Sequence, residues 1–293
     1  MWWQCEAREC GRVCWWPVCY AVGAFNASNL EFVQAIVAGA EKCQSPVIVQ
    51  TSEGAIEYAT LPVISAIIKT VAAAAKVPVV MHLDHGKSLE MVKQCIEAGY
   101  TSVMIDASTK PLPENIAVVR SVVEYAHARG VWVEAELGAI IGKEGVKDLA
   151  GKATPDDFLT KPGEVVEFVG ATGVDALAVS VGTIHGAFTG QEYVRFELLE
   201  QIRDTVPALP LVLHGASGIS DEHLKKACTM HVTKVNVDTE IRQAFEVAVK
   251  AYFDTTHDSV DPRKILGPAK DAVQATVEHK IGLFGSTDMA KVY

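Results

Sequence analysis

The 293-residue sequence predicts an α/β protein built as a (β/α)8 barrel, on three observations. Short runs rich in Val and Ile recur eight times, segments with helical periodicity lie between them, and no Pro-, Gly- or Ser-rich linker divides the series. The runs are continuously apolar rather than alternating, as in strands covered on both faces, which implies a parallel sheet. Eight units fit the roughly 250 residues usual for such a barrel, with an open doubly wound sheet as the runner-up.

In chain order, residues 1–19 stand apart, with four Trp, four Cys and little periodicity. Cys5, Cys10, Cys14 and Cys19 could supply thiolates to a zinc knuckle, but structural sites favour closer pairs, so this atypical segment reads first as a helix or arm laying its tryptophans on the body. One barrel domain is expected over 20–293. Its strands are predicted at 20–25, 46–50, 77–84, 101–106, 131–137, 175–181, 209–215 and 233–238. Helices are read at 29–43, 88–99, 113–130 and 239–253, several opened by Asn, Ser or Thr and closed by glycine, as helix caps are. The longest irregular connection, 138–163, far exceeds the usual strand-to-helix loop and suggests a lid.

Composition sets the outer limits. Hydrophobic residues make up 49% and charged ones 21%, enough for a substantial core. A net charge of −10 leaves no basic stripe for a phosphate backbone, so nucleic acid is excluded as a partner. No apolar run reaches the roughly 18 residues that span a bilayer, so no membrane is expected and the cytoplasm is the expected location. Seven cysteines, an odd number in a long chain, point to reduced thiols.

In a barrel, chemistry gathers where strands give way to the loops that lead into helices. The polar residues predicted on that rim are Asn26, Thr51 and Ser52, Asp84 and His85, Asp106 and Ser108, Glu134 and Glu136, His185, His214, and Asn236 and Asp238. Of nine histidines only His82, His85, His185 and His214 fall near strand ends. The last three are each followed by glycine, which lets backbone approach closely. Three imidazoles from separate strands could share one ion with an open position, the arrangement of a catalytic zinc site; the competing reading makes each a satisfied rim or core residue. His82 reads as structural. Gly215, Ser217 and Gly218 precede a helix near Asp221, where backbone N–H groups and the helix dipole suit an anion, and the segment after the eighth strand repeats the pattern.

Together, "YAVGAFNASNLE", "SPVIVQTS", "HLDHG", "GYTSVMIDAS", "EAELG", "VSVGTIHGAF", "LVLHGASGI", "KVNVDTEIR" and "DPRK" resemble the metal-dependent, class II fructose-bisphosphate aldolases and the related tagatose-bisphosphate aldolases, over nearly everything after residue 19. The resemblance implies that His85, His185 and His214 bind Zn2+ or another divalent ion, with Asp106 and Glu136 as neighbouring or alternate ligands. It implies Asp84 as acid/base at the ketose C4 oxygen and Glu144 as the loop residue exchanging a proton with the dihydroxyacetone phosphate carbon. Asn26, Ser52, Gly186, Gly215, Ser217, Asn236, Asp238, Thr239 and Arg242 would line the substrate and its phosphate, assisted by a monovalent cation (Na+ or K+). Arg263 would reach a neighbouring subunit's site, implying a homodimer or homotetramer.

The implied reaction is reversible cleavage of fructose 1,6-bisphosphate to dihydroxyacetone phosphate and glyceraldehyde 3-phosphate through a metal-stabilised enediolate. "NVDT" resembles the fructose enzymes, where tagatose enzymes tend to have "NVAT". Two departures stand out: "GAIIGKEG" replaces the usual "GGEED", putting Ile141 for a glycine and Lys143 for an acid, and the Trp-rich start replaces the family's ordinary first helix. They keep open a catalytically impaired scaffold, beside a zinc hydrolase on the same barrel.

Overall fold

The computed structural model describes residues 20–142, 155–185, 194–255 and 260–292; the Trp/Cys-rich start, Glu144 and Gly186 lie outside them. The strands in chain order are β1 (Val22–Asn26), β2 (Val47–Ser52), β3 (Val79–Gly86), β4 (Ser102–Ile105), β5 (Trp132–Leu137), β6 (Ile141–Gly142), β7 (Ala176–Val179), β8 (Ile184–His185), β9 (Leu211–Leu213) and β10 (Val232–Val237). Eight of them close a barrel in the order β1-β10-β9-β7-β5-β4-β3-β2, and β6 pairs with β8 beside it. Every barrel pairing is parallel. All eight predicted strands are present within a few residues, and closure rules out the open sheet. One placement differs. His185 does not end the sixth barrel strand, which stops at Val179; it stands in β8, outside the barrel sheet.

The helices are α1 (Leu30–Lys42), α2 (Glu53–Ala59), α3 (Leu61–Ala74), α4 (Leu89–Glu97), α5 (Leu112–His127), α6 (Pro162–Thr172), α7 (Phe196–Thr205), α8 (Asp221–Thr229), α9 (Thr239–Thr255) and α10 (Pro262–Phe284). Asn29, Ser52, Ser88 and Ser220 cap α1, α2, α4 and α8 by accepting from a backbone N–H in the first turn. Gly173 and Gly285 close α6 and α10 in the left-handed conformation. The second and eighth units each carry two helices. Thr60, with φ 65°, breaks α2 from α3, and Pro262 opens α10.

The main core lies between the outer faces of the strands and the helices, around Phe25, Tyr100, Phe168 and Phe284. Inside the barrel, Ala24, Ile48 and Val80 form one apolar plug and Met104, Ala178 and Val212 another. Two residues further along several strands the inward positions turn polar. Gln50, His82, Glu134 and Lys234 form this layer, all buried. Strand alternation then carries Ser52, Asp84, Glu136 and Asn236 to the rim above it. Among the described residues Cys43, Cys95 and Cys228 are free thiols, and no single helix is long and apolar enough to cross a membrane.

Candidate metal centre and active site

His85 is aimed by a local irregularity. The β3–β4 register shifts between Leu83 and Gly86, and His85 sits in the bulge with φ 46°, in the left-handed region where a side chain is strained. Gly86 makes the bulge possible, because a Cβ there would lie 2.7 Å from the carbonyl oxygen of Met104. His214 follows β9, and Gly215 after it takes φ 64°, a turn conformation that favours glycine. The glycine expected after each histidine is required at both described positions.

The two imidazoles meet edge to face with centroids 4.8 Å apart, and His85 Nε2 lies 3.0 Å from His214 Nδ1. Each ring's other nitrogen is held by a carboxylate: His85 Nδ1 donates to Asp106 Oδ2 at 2.9 Å, and His214 Nε2 donates to Glu134 Oε1 at 2.8 Å. Carboxylate–imidazole pairs of this kind fix ring orientation and leave the opposite nitrogen for a metal. Asp84 Oδ1 lies 3.9 Å from His85 Nε2, and Asp84, His85 and His214 offer ligand atoms all within 4.8 Å of one another. His85, Asp106 and Glu136 form a second such group.

The electrostatics agree with a cation at this point. Burial alone would lower the basicity of His85, but Asp84, Asp106 and Glu136 around it raise its pKa to about 10. A field that holds a proton on a buried imidazole also favours a divalent ion there, and the nitrogen and carboxylate donors suit zinc and its neighbours. Burial, with Asp106 beside it, pushes Glu136 up to about 8. Asp106 itself is lowered, the pull of His85 and the Ser108 hydroxyl outweighing burial.

Asp84 is held at both carboxylate oxygens by amides. Asn26 Nδ2 donates to Oδ2 at 2.8 Å and Asn236 Nδ2 to Oδ1 at 3.1 Å, while Gln50 Nε2 in turn donates to Asn26 Oδ1 at 2.6 Å. Burial opposes ionisation, yet His85, His214, Lys234 and the Asn26 amide outweigh it, so the carboxyl lies below its ordinary range. Ser52 stands beside Asp84 in the strand register.

The other expected residues lie partly around this centre and partly away from it. Gly215, Ser217 and Gly218 form the turn before α8, with Ser217 nearly buried. Arg242 pairs with Asp238 at 2.6 Å across the first turn of α9, which Thr239 opens. Arg263 is not brought to this centre: its exposed guanidinium pairs with Asp261, the N-cap of α10. His82, read as structural, is buried, shares a hydrogen bond with Ser102 Oγ at 2.8 Å, and is held well below its usual pKa by burial and by Lys234. Glu134, placed with Glu136 on the rim, lies one layer deeper, against His214 and Lys234. The His185 side chain lies outside the described residues.

Sequence reasoning missed Gln50, Lys234 and Asn115, whose amide donates to the carbonyl of Glu136 at 3.0 Å. Gln50 and Lys234 carried a readable signal. Each is a polar residue two positions before a rim residue on a strand whose inward positions alternate. Asn115 carried none, since it sits in a helix whose rotation the sequence did not fix.

Residues 18–289 match the family model described as Fructose-bisphosphate aldolase class-II. The fructose-bisphosphate aldolase of Geobacillus stearothermophilus is 45% identical over 280 residues, covering 92% of this chain and 93% of that protein. The fructose-bisphosphate aldolase of Staphylococcus aureus (strain Mu50) is 43% identical over 277 residues, covering 93% and 94%. Among solved structures, the YdjI aldolase from Escherichia coli K12 superposes with a TM-score of 0.81 at 35% identity, covering 93% and 94%. With the barrel closed and its rim assembled around two facing imidazoles and an amide-held aspartate, this chain belongs to the class II fructose-bisphosphate aldolase family.

Proposed function

We infer that the chain reversibly cleaves fructose 1,6-bisphosphate into dihydroxyacetone phosphate and glyceraldehyde 3-phosphate. The observation that carries this is the facing of His85 Nε2 and His214 Nδ1 at 3.0 Å beside a carboxylate held by two amides. His85, His214 and, by family resemblance, His185 would hold a divalent ion, which supplies positive charge for the oxygen that becomes negative when the carbon–carbon bond breaks. Asp84 takes the proton from the C4 hydroxyl in cleavage and returns it in condensation. Its two amide donors hold both oxygens in place while the proton moves. Glu144 exchanges the proton at the dihydroxyacetone phosphate carbon. Asn26, Ser52 and Asn236 orient the sugar.

The phosphate belongs at the turn of Gly215 and Ser217, with Gly186, Asp238, Thr239 and Arg242 around it and Na+ or K+ assisting. Backbone N–H groups at the starts of α8 and α9 provide the local positive character that a chain of net charge −10 needs to hold a bisphosphate. Asp238 in "NVDT" favours the fructose over the tagatose sugar, which differ only at C4. Zinc is the proposed ion and the cytoplasm the proposed location.

Metal analysis coupled to cleavage assays on both bisphosphates, with and without chelator, tests the reading. Activity is expected to vanish on chelation, return with Zn2+, and favour fructose 1,6-bisphosphate. Full rates in metal-stripped protein, or a clear tagatose preference, overturn the corresponding part. Release of phosphate without carbon–carbon cleavage would instead indicate a hydrolase.

A further inference from the structure

We propose that Lys234 is a positioning residue for the metal: through Glu134 it fixes the imidazole of His214 with its proton on Nε2, which presents Nδ1 to the ion. The inference rests on the metal reading of the His85–His214 pair and concerns a residue outside the ligand set.

Lys234 projects into the barrel from β10 and is 7% exposed. Its Nζ lies 2.8 Å from Glu134 Oε2, a contact ion pair rather than a directed hydrogen bond. Glu134, on β5 across the barrel and 3% exposed, turns its other oxygen to His214 Nε2 at 2.8 Å. A further neighbour of Oε2 is His82 Nε2 at 3.7 Å, on a ring whose Nδ1 shares a hydrogen bond with Ser102. Lys234 therefore holds one carboxylate oxygen, and that fixes the direction of the other.

A tautomer choice follows. A neutral imidazole carries one N–H; the Asn236 amide nitrogen lies 3.2 Å from Nε2, but Glu134 Oε1 at 2.8 Å is the closer and charged partner, and it keeps that proton on the nitrogen away from His85. If the carboxylate turned aside, the proton could move to Nδ1, the nitrogen that faces His85 Nε2 at 3.0 Å, and His214 could no longer offer a lone pair there. His85 has its own equivalent in Asp106. The two ligands thus have separate carboxylate holders, and only that of His214 depends on a buried lysine. A buried ion pair is a poor way to stabilise a barrel interior, because an apolar pair of similar volume commonly does as well or better. Its presence beneath a metal ligand is explained by what it orients.

The test uses the full chain, stripped of metal and titrated with Co2+, whose visible absorption reports coordination. Lys234→Met removes the cation and keeps a side chain of similar length. Its Co2+ affinity is expected to fall roughly 10- to 100-fold, the usual effect of losing a residue that holds a ligand. In the metal-free protein, ring-nitrogen NMR shifts should place the His214 proton on Nε2 in the wild type and show it partly on Nδ1 in the variant. The double variant Glu134→Gln with Lys234→Met leaves a carboxamide oxygen that accepts from Nε2 without needing a counter-charge. It is expected to recover most of the lost affinity and the wild-type tautomer. Wild-type affinity in Lys234→Met overturns the proposal alone, as does a double variant as weak as the single one. Failure of the wild type to bind Co2+ overturns the metal reading and this inference with it.

Discussion

At the scale of the residue, the proposed reading gives metal ligation and proton transfer to different side chains, and substitution should separate them. His214 contributes Nδ1 to the facing pair, so His214→Ala is expected to lose both bound metal and aldol cleavage, measured by metal content and turnover on one sample. Asp84→Asn keeps the shape and removes the base. Turnover should fall by about 100- to 10,000-fold, the range associated with a positioned general acid or base, while metal content stays near that of the wild type. Loss of the metal in Asp84→Asn would make Asp84 a ligand instead. Asp84, His85 and His214 were legible because each ends a strand next to a turn, a position that in a barrel points into the site. Gln50 and Lys234 were harder to read because they lie inside strands, where only period-two alternation, combined with knowledge of which face is inward, shows that they enter the barrel.

At the scale of the element, the bulge in β3 sets the aim of a ligand and can be tested without touching it. A methyl group at Gly86 would press against the Met104 carbonyl at 2.7 Å and Leu83 at 2.8 Å, so the strand must shift. Gly86→Ala is expected to destabilise the fold by about 1–3 kcal/mol, the usual cost of overpacking, and to weaken metal binding because His85 moves with the bulge. Thermal melting with a metal titration measures both effects. By contrast, Ser88→Ala removes the cap of α4, whose hydroxyl accepts from Met91 N–H at 3.1 Å. It should cost about 1 kcal/mol and leave metal affinity unchanged, which calibrates the first result. The eight strands were legible because strands covered on both faces leave unbroken Val and Ile runs, and α1 and α4 because their caps are written in Asn29 and Ser88. The split of α2 from α3 was not legible, since it depends on Thr60 adopting φ 65° where the two helices bend by 98°. The departure of His185 from the barrel sheet was equally hidden, because the sixth apolar run gives no sign that the strand stops at Val179 and a separate short strand begins at Ile184.

At the scale of the whole molecule, Arg263 provides the sharpest test. Its guanidinium pairs with Asp261 on the exposed start of α10, away from the centre formed by His85 and His214. If Arg263 serves a phosphate, as the family resemblance implies, it would do so from there in another copy's site. In a symmetric dimer each subunit then lends Arg263 to its neighbour and keeps its own Asp84. Mixing subunits that carry Asp84→Asn with subunits that carry Arg263→Ala distinguishes the two arrangements. If Arg263 works across the interface, the mixed dimer contains one site with Asp84 from one chain and Arg263 from the other. Half the dimers in an equal mixture are mixed, with one of two sites intact, so about a quarter of wild-type activity should appear from two nearly inactive parents. If Arg263 works within its own chain, every site in the mixed dimer lacks one of the two groups and no activity beyond the parents' appears. Recovery to that level, tracked against the formation of mixed dimers, would establish that the site spans two chains; its absence would confine Arg263 to its own surface and return phosphate binding to Gly215, Ser217 and the starts of α8 and α9.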